Sequence, residues 1–270
     1  MVRVFLLLAA LLTPKAFNTL AFVAPTARGA SLLASSPRRG LAAPASLPVA
    51  AKPRQRTTTT TTTMAARIPW RTVFLAEYGG PIAIFPAVAA VSASSPCAVK
   101  LATALWMFHF SKRFLETLFV HSFSKASMPL TNLFKNCGYY YSAAALVAWD
   151  MARRGDVGIS KAAAVAFFAF EALNGYTHLH LAGLRADGSR EAKVPTAWPF
   201  RYVCSPNYTF EILSWVSFTL AFRSPAAAAF TLVGAAQMAV WSRGKLKRYK
   251  RKFNDEPAFT ATKALVPGVF

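Results

Sequence analysis

Ile159 to Leu181 reads ISKAAAVAFFAFEALNGYTHLHL, a run of 23 residues dominated by Ala, Phe, Leu and Val. A helix needs about 20 predominantly apolar residues to cross a bilayer core. Such a run argues for a helix, because backbone polar groups in lipid must be satisfied within the segment. Comparable segments recur on both sides of it. Val73 to Val91 is interrupted by Glu77, Gly79, Gly80 and Pro81. Ala98 to Phe110 is short and extends helically toward His121. Cys137 to Trp149 follows, with three consecutive tyrosines near its start. Tyr208 to Phe222 and Ala226 to Trp241 complete the set, split by Arg223-Ser224-Pro225. The expected fold is all-α: a disordered N-terminal tail, then a multi-pass transmembrane bundle of about six helices after residue 66, several of them short or polar. Strand-type alternation is missing, so no β-sheet domain is expected.

Composition agrees with this reading. Of 270 residues, 54% are apolar and 15% charged. A disordered chain has the opposite balance, and a soluble domain carries about a quarter charged residues. The net charge of +21 is unevenly spread. No acidic residue precedes Glu77, whereas ten basic ones do; the remainder carries 21 basic against 10 acidic groups. Ser242 to Lys252, SRGKLKRYKRK, holds seven basic residues beside an apolar span. The positive-inside rule places it on the cytosolic side, with lipid headgroups or a phosphorylated cofactor as partners rather than nucleic acid. Cys97, Cys137 and Cys204 are odd in number and lack CxxC spacing, which argues against a disulfide framework or zinc site.

Residues 1 to 66 read as a targeting leader and linker, and 67 to 270 as the membrane-embedded catalytic domain. Arg3 precedes the apolar stretch Val4 to Leu12, and Leu20-Ala21 offers a small-residue cleavage region. Phe22-Val23-Ala24-Pro25 opens an acid-free Ser/Ala/Pro/Arg stretch to Arg56. This resembles the two-part presequences of algae with secondary plastids; the alternative is an inert, disordered extension. Thr57 to Thr63 reads as a linker.

Ionisable and strongly polar residues inside membrane helices are functional candidates. Glu77 sits in the first span, where an interfacial, snorkelling role is the alternative. Asn174 and His178 are four apart and share a helix face. His178 and His180 are two apart and diverge, which disfavours a metal site. Asn207, Tyr208 and Glu211 open a later span, with Asn207 and Glu211 on one face and Tyr208 beside Glu211; a helix cap with an interfacial tyrosine is the alternative there. Gly-x-Gly-x-x-Gly, P-loop and Gly-x-Ser-x-Gly patterns are all missing.

Four blocks carry a family resemblance: WRTVFLAEYGGP (Trp70 to Pro81), LETLFVHSFSKASMPLTNLFK (Leu115 to Lys135), SPNYTFEILSW (Ser205 to Trp215) and VGAAQMAVWSRGKLKRYKRKF (Val233 to Phe253). In order and content they resemble the trans-2-enoyl-CoA reductases of very-long-chain fatty acid elongation, within the steroid 5α-reductase superfamily. Members usually carry a ubiquitin-like domain where this chain has its leader-like segment. The resemblance implies a helical membrane oxidoreductase that uses NADPH to reduce the C2–C3 double bond of an enoyl-CoA. It implies long-chain acyl-CoA, membrane lipid and other elongase subunits as partners. It implies the endoplasmic reticulum as location, with a plastid-associated membrane as the alternative suggested by the leader.

By the same resemblance, Tyr208 in the Asn-Tyr-Thr motif is the catalytic tyrosine, and Glu77 helps bind the substrate carbonyl. Asn174, Arg185, Asn207, Glu211 and Tyr249 fall on positions that line the NADPH site, with Glu211 accepting from the nicotinamide amide. Lys193 and Lys245 are further phosphate candidates, while His121 and Lys135 lie in the family block without an assigned role. The steroid reductases carry a His-Tyr pair where this chain has His109-Phe110, which shifts the expected acid to Tyr208.

Overall fold

A computed structural model of the chain describes residues 66–91, 96–123, 126–188, 191–253 and 262–270. Among them are six α-helices: α1 (Trp70–Ala89), α2 (Cys97–Phe119), α3 (Thr131–Arg154), α4 (Lys161–Gly183), α5 (Pro206–Phe222) and α6 (Pro225–Lys252). Two three-residue strands, β1 (Arg67–Pro69) and β2 (Ser127–Pro129), pair antiparallel, with Ile68 opposite Met128. This ribbon is a clasp rather than a sheet domain. It ties the entry of α1 to the entry of α3, supported by Trp70 N–H donating to the Ala126 carbonyl (3.3 Å).

Each apolar segment read from the sequence falls on one helix; α1 stops at Ala89, short of Val91, and α4 starts at Lys161, after Ile159, while most other limits extend further than the apolar run. The Cys137 to Trp149 segment grows at both ends into α3 because Thr131, Asn132, Lys135 and Asn136 form its polar first turns. The basic run after Trp241 continues α6 without a break to Lys252. Of the described helices, α1 and α6 are long and apolar enough to cross a membrane. The disordered tail expected for the N-terminal segment lies outside the described residues.

The helix ends show why the chain reverses where it does. Arg223 adopts a left-handed φ of 50°, which closes α5. Ser224 then caps α6 by accepting from Ala227 N–H (3.0 Å), and Pro225 follows at the first helical position, where a missing N–H costs nothing. The Ser224 hydroxyl donates to Asp150 Oδ2 (2.6 Å), and Arg154 donates to the Arg223 carbonyl (2.8 Å), which fixes this turn to the end of α3. Ser160 caps α4 in the same manner, and its N–H donates to the Ala221 carbonyl (3.0 Å).

The core draws on all six described helices, with Phe167 of α4 among its fully buried members. Trp106 is fully buried and faces Phe85 (4.7 Å between ring centroids), Phe110 (5.0 Å), Trp215 (5.1 Å) and Phe230 (5.7 Å). Burying one large apolar side chain contributes about 1.5–3 kcal/mol, so this cluster is a principal clamp on the bundle. Gly80 has a steric reason: a Cβ there would run into the Tyr141 ring. The Tyr141 hydroxyl donates to the Ala76 carbonyl (2.8 Å), one turn before Pro81 interrupts the α1 ladder. Val165, Leu220 and Leu232 are apolar side chains exposed on the outside of the bundle.

Candidate active site

A cavity of about 350 Å³ opens among α1, α2, α3, α5 and α6. Its wall includes Glu77 from α1, His109 and Arg113 from α2, Tyr139 and Tyr140 from α3, Tyr208 and Glu211 from α5, and Lys245 and Arg248 from α6. Apolar side chains, among them Phe74, Phe110, Ile212 and Phe230, cover much of the remainder. The helices enter it at one end of the bundle, because β1–β2 and the starts of α3 and α5 lie there with the basic end of α6. The C-terminal segment steadies that end: Thr209 donates to the Leu265 carbonyl (2.7 Å), and Val203 pairs with Lys263.

The structure brings together most of the residues singled out from the sequence. Glu77 is 2% exposed, and its Oε1 accepts from Asn136 Nδ2 (2.6 Å). It therefore faces the cavity instead of reaching an interface. Asn174 is fully buried; its Nδ2 donates to the Asn207 carbonyl (2.8 Å) and to Glu211 Oε2 (3.4 Å), while Lys112 donates to its Oδ1 (2.5 Å). This joins α4 to the first turns of α5, where Tyr208 projects into the cavity near Trp241 (6.1 Å between rings).

Other named residues stand off the cavity wall. Arg185 donates to the Ser122 carbonyl (2.6 Å). Tyr249 packs on Phe253 (5.8 Å), with Lys245 Nζ 5.4 Å from its ring. Lys193 is paired with Asp187 (2.6 Å) at the surface. Lys135 and Lys245 do line the cavity.

The histidines separate as helical geometry requires. His180 turns outward, against Phe200 (5.3 Å). His178 turns inward, 2.8 Å from Glu116 Oε2. His121 joins them, and ligand-type atoms of Glu116, His121 and His178 lie within 4.8 Å of one another. Arg113 Nη1 donates to Glu116 Oε2 (2.6 Å) and lies 2.7 Å from His178 Nδ1, so a guanidinium already supplies the cation at this carboxylate. His121 lies beyond the end of α2, where burial and the nearby Arg113 and His178 charges lower its pKa to about 3.

Sequence reasoning missed Glu171, which is 1% exposed and sits 2.7 Å from His109 Nδ1. It is the acidic residue within the apolar run of α4, and that position was the available signal. It also missed Tyr78, whose hydroxyl accepts from Arg113 Nη2 (3.2 Å). Tyr78 and Tyr140 flank Phe110 at 6.3 and 6.0 Å, so phenolic groups surround the phenylalanine that occupies the expected tyrosine position.

The donors and acceptors fit a nicotinamide dinucleotide. Asn207 Oδ1 and, in the cavity wall, Gln237 Nε2 are buried without a hydrogen-bond partner, and buried polar atoms normally have one. Beside them Glu211 offers an acceptor, and Lys245 and Arg248 offer cations for phosphates.

Residues 126–270 match the family described as 3-oxo-5-alpha-steroid 4-dehydrogenase. The chain is 37% identical over 238 residues to the "Probable very-long-chain enoyl-CoA reductase art-1" of Caenorhabditis elegans, covering 80% of this chain and 76% of that protein. It is 36% identical over 209 residues to the "Very-long-chain enoyl-CoA reductase" of Dictyostelium discoideum, covering 72% and 68%. A human "Trans-2,3-enoyl-CoA reductase-like" protein is 33% identical over 215 residues, covering 71% and 59%. With its six described helices, its polar cavity and these relatives, the chain belongs to the steroid 5α-reductase family of oxidoreductases, among members named as very-long-chain enoyl-CoA reductases.

Proposed function

We propose that this protein reduces the C2–C3 double bond of a trans-2-enoyl-CoA with NADPH, as a step of long-chain fatty acid elongation. The observation that carries this reading is the shared cavity: Glu77, Tyr208 and Glu211 meet there between an apolar wall and a cationic end. Bound NADPH supplies a hydride for the β carbon. Asn207 and Glu211, set by Asn174 behind them, would hold the nicotinamide carboxamide, with Glu211 as acceptor, and Lys245 and Arg248 would take the phosphates; Arg185 and Tyr249, which stand off the cavity wall, are assigned to the cofactor by the family resemblance.

As the β carbon gains hydrogen, negative charge moves onto the thioester oxygen. The Tyr208 hydroxyl donates a hydrogen bond to that oxygen, and Glu77, fixed by Asn136, borders the same carbonyl. One such donor in a water-poor site is typically worth about 3–4 kcal/mol of barrier. Tyrosine suits this task because it stays neutral at physiological pH and still donates. The apolar wall takes the acyl chain and excludes water.

The membrane-length apolar helices α1 and α6 support an integral membrane protein. The family resemblance favours the endoplasmic reticulum, with other elongase subunits as neighbours, and the leader-like residues before 66 offer a plastid-associated membrane as the alternative. The deciding experiment is NADPH oxidation by purified full-length protein with trans-2-enoyl-CoAs of increasing chain length, beside a 3-oxo-steroid and a polyprenal. Turnover restricted to the CoA thioesters supports the reading. Turnover of only the steroid or polyprenal would overturn the substrate while leaving alkene reduction in place.

A further inference from the structure

Reduction of the double bond needs two different services from the protein. The thioester oxygen needs a held hydrogen bond, and the α carbon needs a proton that is given up. These atoms are two bonds apart, so one hydroxyl fixed on the oxygen is poorly placed for both. A second group facing the cavity meets the second need. Resting on the reading above, we propose that His109, oriented by Glu171, delivers the proton to the α carbon.

His109 lies on α2, is 2% exposed and lines the cavity. Its Nδ1 is 2.7 Å from Glu171 Oε1 on α4. That short contact commits Nδ1–H to the carboxylate, so the transferable proton is the one on Nε2 of the imidazolium. Nε2 lies 3.8 Å from Glu211 Oε1. The ring plane is set by Trp215 (4.5 Å) and Phe110 (5.0 Å). Charged groups face it from three helices in alternating order. Lys112 Nζ is 3.2 Å from Glu171 Oε2, Glu171 meets one ring nitrogen, Glu211 approaches the other, and Arg113 Nε is 3.9 Å from Glu211 Oε2. Each carboxylate has a cation behind it and the imidazole before it, so an imidazolium completes the alternation and its loss of a proton leaves no bare carboxylate.

The step balances. The hydride arrives at the β carbon from NADPH. The His109 Nε2–H bond breaks as the α carbon–hydrogen bond forms, and the enolate electrons return to the carbonyl. Neutral imidazole remains, with Nδ1–H still on Glu171, and takes a proton from water at Nε2 once the product leaves. His109 is thus a catalytic residue, and Glu171 is a positioning residue acting through it.

The test uses full-length protein in lipid nanodiscs with a long-chain trans-2-enoyl-CoA and NADPH. His109→Gln and Glu171→Gln should each lower kcat by about 100-fold or more, the usual weight of a general acid, with KM and NADPH affinity unchanged. The double variant should be no slower than the slower single variant, because both changes remove one unit. Imidazole added to His109→Gly should restore turnover by about 10-fold or more. Near-normal turnover in His109→Gln, multiplied losses in the double variant, or an NADPH-binding His109→Gly that imidazole fails to rescue would each overturn the proposal. If wild-type protein ignores enoyl-CoAs, the substrate reading has failed and this inference falls with it.

Discussion

Asn174 on α4 donates its side-chain amide to the backbone carbonyl of Asn207 on α5 at 2.8 Å, and the same nitrogen reaches Glu211 at 3.4 Å. One buried amide thereby sets the first two turns of α5, and with them Tyr208, relative to α4. The Asn207-Tyr208-Thr209 stretch is positioned by a residue 33 positions from Asn207.

Tyr208→Phe removes one oxygen from the cavity wall. The expected outcome is a fall in kcat of about 100-fold or more, as for the loss of an oxyanion donor, with NADPH affinity retained. Glu211→Gln should instead weaken NADPH binding, because its carboxylate is assigned to the cofactor amide. Steady-state kinetics combined with titration of NADPH fluorescence separate the two outcomes. A Tyr208→Phe enzyme with normal kcat would remove the hydroxyl from the mechanism.

Asn136→Ala leaves Glu77 without its 2.6 Å donor inside the bundle. Losing a hydrogen bond to a buried carboxyl group costs about 1.5–3 kcal/mol. If that geometry serves the substrate carbonyl, kcat/KM should fall by about 10-fold or more, and Glu77→Gln, which retains an oxygen acceptor for Asn136, should lose less stability than Glu77→Ala. Thermal unfolding and kinetics of the three variants check this.

Gly80→Ala should destabilise the fold by about 1–3 kcal/mol, the usual cost of overpacking, because the new methyl runs into the Tyr141 ring. Combining it with Tyr141→Ala should recover part of the loss, less the hydrogen bond to Ala76. Melting temperatures in detergent, read as a double-mutant cycle, would show the coupling; additive losses would contradict the close approach.

His121 carries a pH signature. Its folded pKa is lowered to about 3 by burial and by the neighbouring Arg113 and His178 charges, against an ordinary 6.5. The unfolded chain therefore binds a proton that the folded protein refuses as pH falls below 6.5. Stability should drop by up to about 2 kcal/mol between pH 7 and pH 5 on this account. His121→Gln should flatten that part of the profile while leaving stability near pH 8 less affected. An unchanged slope in the variant would assign the pH response to other groups.

The helices were legible from the sequence because their cause is local. Long apolar runs must close their own backbone hydrogen bonds, and Gly, Pro and Ser mark where they stop, as at Arg223-Ser224-Pro225. Asn207, Tyr208 and Glu211 were legible for the same reason, since spacing within one helix fixes their common region. Glu77 and Asn174 stood out as polar residues inside apolar spans and the family resemblance gave them roles, yet neither gave Asn136 as the partner of one nor Asn207 as the partner of the other. The His109–Glu171 contact joins residues 62 apart, and the Gly80–Tyr141 approach joins two different helices. Such pairings depend on how α2, α3 and α4 rotate and pack against one another. Side-chain periodicity records that a helix has a buried face; only the tertiary structure decides which residues of the other helices meet it.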